Sequence, residues 1–234
     1  MKPERHQATL AAPAPNTDQG LGDGGSSRSA GKRRAILDAA RGQFLQHGYL
    51  GTSMDDVAAL AGVSKQTVYK HFGDKRTMFV ELLTSDMGNA DTTVAALGEA
   101  VPGSQDLETD LRAFARAYLA AVMQPHLIRL RRVVIGEAER FPELAAAWYS
   151  NGPAQAYVTF ARWFEALDRR GLLRLSDPAL AAQNFNWLIL SIPLNEAMAR
   201  PVDDSATAGD ELRRYADEAV RVFLAAYGTS TPTA

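Results

Sequence analysis

Cysteine is missing from the chain of 234 residues. Its absence excludes disulfide staples, thiolate metal sites and a cysteine nucleophile, and it suits a reducing compartment, so the cytoplasm is the expected location. Long apolar runs are missing too. The nearest, WLILSIPL at 187–194, is eight residues long, well short of the roughly 18 that a membrane span needs. The N-terminal stretch MKPERHQATLAAPAPNTDQGLGDGGSSRSA lacks the continuous apolar segment of an export signal. Rich in Gly, Pro, Ser and Ala, residues 1–29 have little to pack and read as a disordered tail. Catalytic patterns are absent as well. Asp38 with His47, or His126 with Glu137, make polar pairs without a nucleophile, a metal-ligand cluster or a phosphate loop at working spacing. The chain is therefore not read as an enzyme, and neither a cofactor nor a metal is expected.

What is present is a helix-forming, core-forming composition. Hydrophobic residues make up 46% and charged residues 22%, enough to bury a substantial core, and alanine is abundant while sheet signals are scarce. The net charge of -2 is unevenly spread. Residues 28–76 hold nine Lys or Arg against four Asp or Glu, whereas 77–234 hold fourteen against twenty. A basic first third can approach a polyanion while the acidic remainder keeps the molecule soluble, although ordinary surface scatter accounts for the charges alone equally well.

The basic third has internal order. Ile36, Ala40 and Phe44 repeat at four-residue spacing in a helix expected over 31–47, which Gly48 ends as a left-handed cap. Ser53 is placed to cap a short helix carrying Met54, Val57, Ala58 and Ala61, with Asp56 near its free N–H groups. Gly62 permits a sharp turn, and Ser64 caps a third helix, KQTVYKHF, whose Val68 and Phe72 share the apolar side. Two short helices meeting at Ala61-Gly62-Val63 form a helix-turn-helix, which needs the flanking helices to complete its core. The outward side of the third helix offers Lys65, Gln66, Thr67, Tyr69, Lys70 and His71. Gln can pair with an adenine edge, Thr can offer hydroxyl or methyl, and Lys can reach guanine or phosphate in a major groove. A fourth helix starts at Asp74 with Lys75 and Arg76 in its first turn, where cations oppose the helix dipole. A phosphate clamped by Lys75 and the free N–H groups would remove that conflict.

The span from Ile36 through Phe79, ILDAARGQFLQHGYLGTSMDDVAALAGVSKQTVYKHFGDKRTMF, about a fifth of the chain, closely resembles the DNA-binding domain of the TetR family of transcriptional regulators. The likeness joins Phe44 and Gly48, Thr52-Ser53, Ala61-Gly62-Val63, Thr67-Val68-Tyr69, Phe72 and Lys75 in order and at family spacing. It implies that Gln66 and Thr67 enter the groove, that Tyr69 and Lys75 contact phosphates, and that Thr52, Ser64, Lys65, Lys70 and His71 are further DNA-binding candidates. Arg76 stands where the family often has an acidic residue. The resemblance also implies an all-α homodimer: an N-terminal three-helix helix-turn-helix domain joined to a larger helical ligand-binding and dimerisation domain. Its partners would be a double-stranded DNA operator, a second copy of itself and a small-molecule effector, apolar or aromatic, with no membrane. Most members are repressors that release DNA when the effector binds; an activator or dual regulator is the alternative, and a structural or protein-interaction module that no longer reads sequence is the alternative of another class.

For the remaining two thirds the expected boundaries are a tail at 1–29, the reading domain at 30–76, a regulatory body at 77–228 and a flexible end at 229–234. The fourth helix is expected to continue to about Leu97. Further helices are expected over 106–123, 126–138, 142–150, 153–171, 178–199 and 207–227, with a kink or early end at Pro193. RRVVIGEAERFPELAAAWY is similar to a subclass of the same family, which makes Arg131, Arg132, Glu137 and Phe141-Pro142-Glu143-Leu144 framework candidates. Phe114, Tyr118, Met123, His126, Phe160, Trp163, Phe164, Asn184 and Trp187 are the candidates for an effector pocket, although aromatic residues in such a pattern more often serve simply as core and His126 beside Pro125 as a helix start. Dimerisation is expected through the 153–171 helix with either the 178–199 or the 207–227 helix.

Overall fold

The computed structural model of the protein describes residues 23–88, 92–201 and 209–229. Most of the expected tail, the end of the chain past Thr229 and part of the PVDDSA loop lie outside the described residues. Among the described residues the only regular structure is helical: α1 (Asp23–Gly51), α2 (Met54–Leu60), α3 (Lys65–Phe72), α4 (Lys75–Gly88), α5 (Thr92–Ala100), a 3₁₀ turn (Val101–Gly103), α6 (Leu107–Val122), α7 (Pro125–Gly136), α8 (Pro142–Asn151), α9 (Pro153–Arg169), α10 (Pro178–Ala199) and α11 (Gly209–Tyr227). One isolated bridge, Leu173 to Gly228, is the exception. None of these helices is long and apolar enough to cross a membrane.

Local chemistry explains most boundaries. Proline occupies the first position of α7, α8, α9 and α10, where its missing N–H is not needed and its fixed φ suits a helix. Ser53 and Ser64 cap α2 and α3 as expected, accepting from Asp56 N and Thr67 N. Gly48, at φ 69°, breaks the helical path between His47 and the turn before α2. Helix α1 begins earlier than expected, at Asp23, within the segment read as a tail.

Two further expectations change. The expected run of the fourth helix to Leu97 crosses 89–91, which lie outside the described residues; α4 is described to Gly88 and α5 from Thr92. Helix α10 does not stop at Pro193, which is buried within it and followed by helix to Ala199; the surrounding packing outweighs the lost N–H. Thr229, the first residue of the expected flexible end, is held: its N donates to Leu172 O at 3.2 Å and its Oγ1 to Gly171 O at 2.7 Å, beside the Gly228–Leu173 bridge.

Two apolar cores result. The larger is built by α5, α6, α9, α10 and α11, with Ile128 from α7, around Phe114, Phe160, Phe164, Phe185 and Phe223. The smaller holds α1–α4 together through Ile36, Phe44, Val57, Val68 and Phe72, and it also takes in Leu130 and Val134 of α7 and Leu144 of α8. Helix α4 is the shared wall: Met78, Phe79, Leu82 and Leu83 are fully buried in that smaller core, and α4 packs on α1, α7 and α8. A chain of rings crosses the seam. Phe79 meets Phe44 edge-on at 4.6 Å and Tyr49 at 5.3 Å, and Tyr49 meets Phe141 at 4.8 Å.

Candidate nucleic-acid interface and effector cavity

Helix α3 lies with Val68 and Phe72 buried against α1 and α2 and its other side in water. Gln66, Tyr69 and Lys70 are exposed on that side, and Thr67 and His71 are half-buried beside them. Ser64 sits at the cap, with its Oγ 2.8 Å from Thr67 Oγ1. Lys65 is exposed but partnered: its ammonium lies 2.8 Å from Asp55 of α2 and 5.8 Å from the Tyr69 ring centre. The carboxylate of Asp55 raises the Lys65 pKa, so the residue is cationic wherever the protein works. Gln66, Tyr69 and Lys70 are thus the side chains most freely presented to a groove.

Lys75 and Thr52 are placed differently from what the motif implies. Lys75 Nζ donates to Tyr49 O at 2.8 Å, Thr52 O at 2.9 Å and Leu50 O at 3.4 Å, and stands 4.7 Å from the Tyr49 ring centre. Burial lowers its pKa. Thr52 is buried, and its hydroxyl donates to Gly48 O at 2.8 Å. Both side chains fasten the turn between α1 and α2 by satisfying carbonyls that the helix end leaves free. The conflict between Lys75 and the α4 dipole is settled inside the molecule as well. Asp74 Oδ1 accepts from Thr77 N at 2.7 Å, which lowers the Asp74 pKa and puts a carboxylate at the N-terminus of α4. No phosphate is required there.

Behind the reading module, α5, α6, α7, α9 and α10, with residues of α1, α4 and α8, line an open cavity of about 1210 Å³. Of the sequence candidates, Phe114, Tyr118, His126, Phe160, Trp163 and Trp187 stand on its wall. Met123, Phe164 and Asn184 do not. Met123 ends α6, Phe164 is fully buried in the larger core, and Asn184 points away to donate to the Tyr227 hydroxyl at 2.8 Å. The wall polar group near that position is Asn186, which is buried and accepts from the Tyr118 hydroxyl at 2.8 Å. Desolvation pushes the Tyr118 pKa upward, so the phenol stays protonated. Asn184 and Asn186 lie two residues apart in a helix that has no charged residue before Glu196 to mark its faces, so the sequence does not distinguish them.

Trp148, Tyr157, Arg131, Arg41 and Asp86 complete the functional lining and were not anticipated as wall residues. Arg41 of α1 and Asp86 of α4 form a two-pronged ion pair, Nε to Oδ2 at 2.9 Å and Nη2 to Oδ1 at 2.6 Å, while Arg41 Nη1 reaches Asp38 at 2.8 Å. The Asp86 side chain is only 2% exposed. This pair joins the reading module to α4 at the cavity wall. His126 also lines the cavity, and burial and the Arg41 charge lower its pKa. Nothing in the sequence marks the pairing, since Arg41 and Asp86 are far apart in the chain and Arg41 resembles a surface partner for Asp38 three residues away.

A groove-reading helix on a small helical module, bound through a shared helix to a body with an aromatic cavity, defines a helix-turn-helix regulator with a sensor domain. Comparison with known proteins agrees. Residues 36–82 match the model for bacterial regulatory proteins of the tetR family, and residues 109–229 match the AefR-like transcriptional repressor, C-terminal domain. A TetR-family regulator from Mesorhizobium loti is similar at 40% identity, covering 86% of this chain and 99% of its own, with a TM-score of 0.78. The flavonoid-responsive regulator FrrA is similar at 28% identity, covering 88% of this chain and all of its own, with a TM-score of 0.67. Among curated relatives, the transcriptional activator FasR of Mycolicibacterium smegmatis is 32% identical over 87 residues, covering 37% of this chain and 38% of its own length. This chain therefore spans little more than a third of that relative. The chain belongs to the TetR family of transcriptional regulators, a family of DNA-binding proteins rather than enzymes. All-α architecture, the helix-turn-helix and the larger helical body are as the sequence implies.

Proposed function

We propose that the protein is a dimeric repressor that reads a palindromic operator with α3 and lets go when an aromatic small molecule fills the cavity. The observation that carries this reading is the Arg41–Asp86 pair, which belongs at once to the cavity wall and to the join between reading module and body. A ligand that favours an arrangement of α4 unsuited to the operator needs only a few kcal/mol of preference to shift the population. Support for an aromatic effector comes from the wall itself and from the flavonoid response of FrrA. The AefR-like match over the body supports repression, whereas FasR is an activator, and the position of the operator decides the sign.

For the dimer contact, α10 is the favoured element. From Pro178 through Asn195 it has no charged residue, and Leu180, Trp187 and Ile192 stand exposed on it. An uncharged helix that leaves large apolar side chains in water calls for cover on that side. Helix α11, the other candidate, packs on α6, to which Asp217 is tied by Arg116 at 2.7 Å, and exposes the Arg221–Glu218 pair at 2.6 Å. The testing experiment is selection of duplex DNA on the purified protein, with sedimentation of the complex. A palindrome bound by two chains is expected; absence of any enriched motif would overturn the proposal.

Variants divide the labour on that DNA. Gln66→Ala is expected to relax preference at one base step by about 1–3 kcal/mol. Lys70→Ala should weaken all duplexes alike and reduce the salt slope by about one contact. Lys75→Ala should also weaken all duplexes but leave the salt slope almost unchanged, because its charge holds carbonyls rather than facing out. Anisotropy titrations over a salt series check this, and a full-contact drop in slope for Lys75→Ala would show the ammonium turning out to phosphate.

A further inference from the structure

Arg131 and Arg132 are neighbours on α7 with opposite fates. Arg132 sends its guanidinium to the end of α10, donating to Ala197 O and Arg200 O. Arg131 turns to the cavity, more than half buried, and its Nε is out of water with no hydrogen-bond partner among the described residues. An arginine cannot shed its proton to escape such a place, and an uncompensated charge beside apolar wall is costly.

The other charges around the cavity offer Arg131 no counterion. Asp86 is taken by Arg41, and Glu99 is exposed to water. The phenols of Tyr118 and Tyr157 share the wall, and that of Tyr118 is engaged, donating to Asn186 at 2.8 Å. Of the cavity's remaining cations, Arg41 is paired, Arg162 is exposed, and His126 is disfavoured as a cation by burial. The side-on edge of a guanidinium, Nε with one Nη, matches the two oxygens of a carboxylate. Trp148, Tyr157, Phe160, Trp163 and Trp187 supply flat apolar surface around it.

We infer, on the reading of this cavity as the effector site, that the effector is an aromatic carboxylate whose acid group pairs with Arg131. Isothermal calorimetry of the intact protein with 2-naphthoate and with uncharged 2-naphthamide, at pH 7.5, tests it. The carboxylate is expected to bind about tenfold tighter than the amide. In Arg131→Gln the two probes should bind within about twofold of each other, with amide affinity kept, and Arg131→Lys should restore part of the preference. Equal affinities in the unaltered protein, a preference that survives Arg131→Gln, or no heat from either probe would overturn the carboxylate assignment. Should the glutamine variant melt early, the comparison of the two probes on the unaltered protein still decides. Operator release is read separately by anisotropy. Release by neutral aromatics alone would overturn the acid while sparing the ligand-responsive repressor; a protein that selects no operator would overturn the repressor while leaving the calorimetric result standing.

Discussion

Arg41→Met is expected to lower the melting temperature by about 6–12 °C, the shift that about 3 kcal/mol produces in a chain of this size. The substitution keeps most of the aliphatic stem and removes both donors from a carboxylate that is 2% exposed. Asp86 would be left charged and buried, and that orphaned group accounts for more of the loss than the attraction itself. The Arg41 side chain is partly open to water, 27% exposed, which keeps the estimate at the lower end of what buried pairs show. The double variant Arg41→Met, Asp86→Leu should recover most of the loss, since an apolar pair leaves no stranded charge. Thermal melts of the two single variants and the double variant form the cycle that checks this. A double variant no more stable than Arg41→Met alone would show that the pair does not account for the loss.

Phe79→Ala carries the other large expected effect, about 3–5 kcal/mol of destabilisation. Phe79 is fully buried in α4, edge-on to Phe44 of α1 and to Tyr49, which in turn touches Phe141 between α7 and α8. Truncation would empty the place where reading module, α4 and body meet. DNA affinity should therefore fall with stability, for every sequence alike. Phe79→Leu, which leaves a smaller hole, should lose less of both. Chemical denaturation and operator titration of the two variants measure the effect. A variant that loses stability but holds its operator as tightly as before would show that the ring chain is not needed to align α3.

The reading module was legible in the sequence because its instructions are local. Ser53, Ser64, Gly48 and Gly62 act on residues within one turn, and Val68 with Phe72 share a side at four-residue spacing. Proline at 125, 142, 153 and 178 likewise marks helix starts by an effect on its own backbone. The site's polar geometry was not legible, since it depends on contacts between distant segments. Lys75 reads as a phosphate clamp until its ammonium is found among the carbonyls of Tyr49, Leu50 and Thr52. Asn184 and Asn186 have the same chemistry, and only the packing of α10 against α6 and α9 decides which one meets the cavity. Pro193 has a local cost that the buried surroundings of α10 override.

All three tryptophans of the chain, Trp148, Trp163 and Trp187, stand on the cavity wall, and the reading module contains none. The protein therefore carries its own optical probe, confined to the chamber that an inducer would enter. Tryptophan emission, excited selectively, can report occupancy without any label and without a tryptophan signal from the reading module. Compound libraries can be screened on the unmodified molecule with no DNA present.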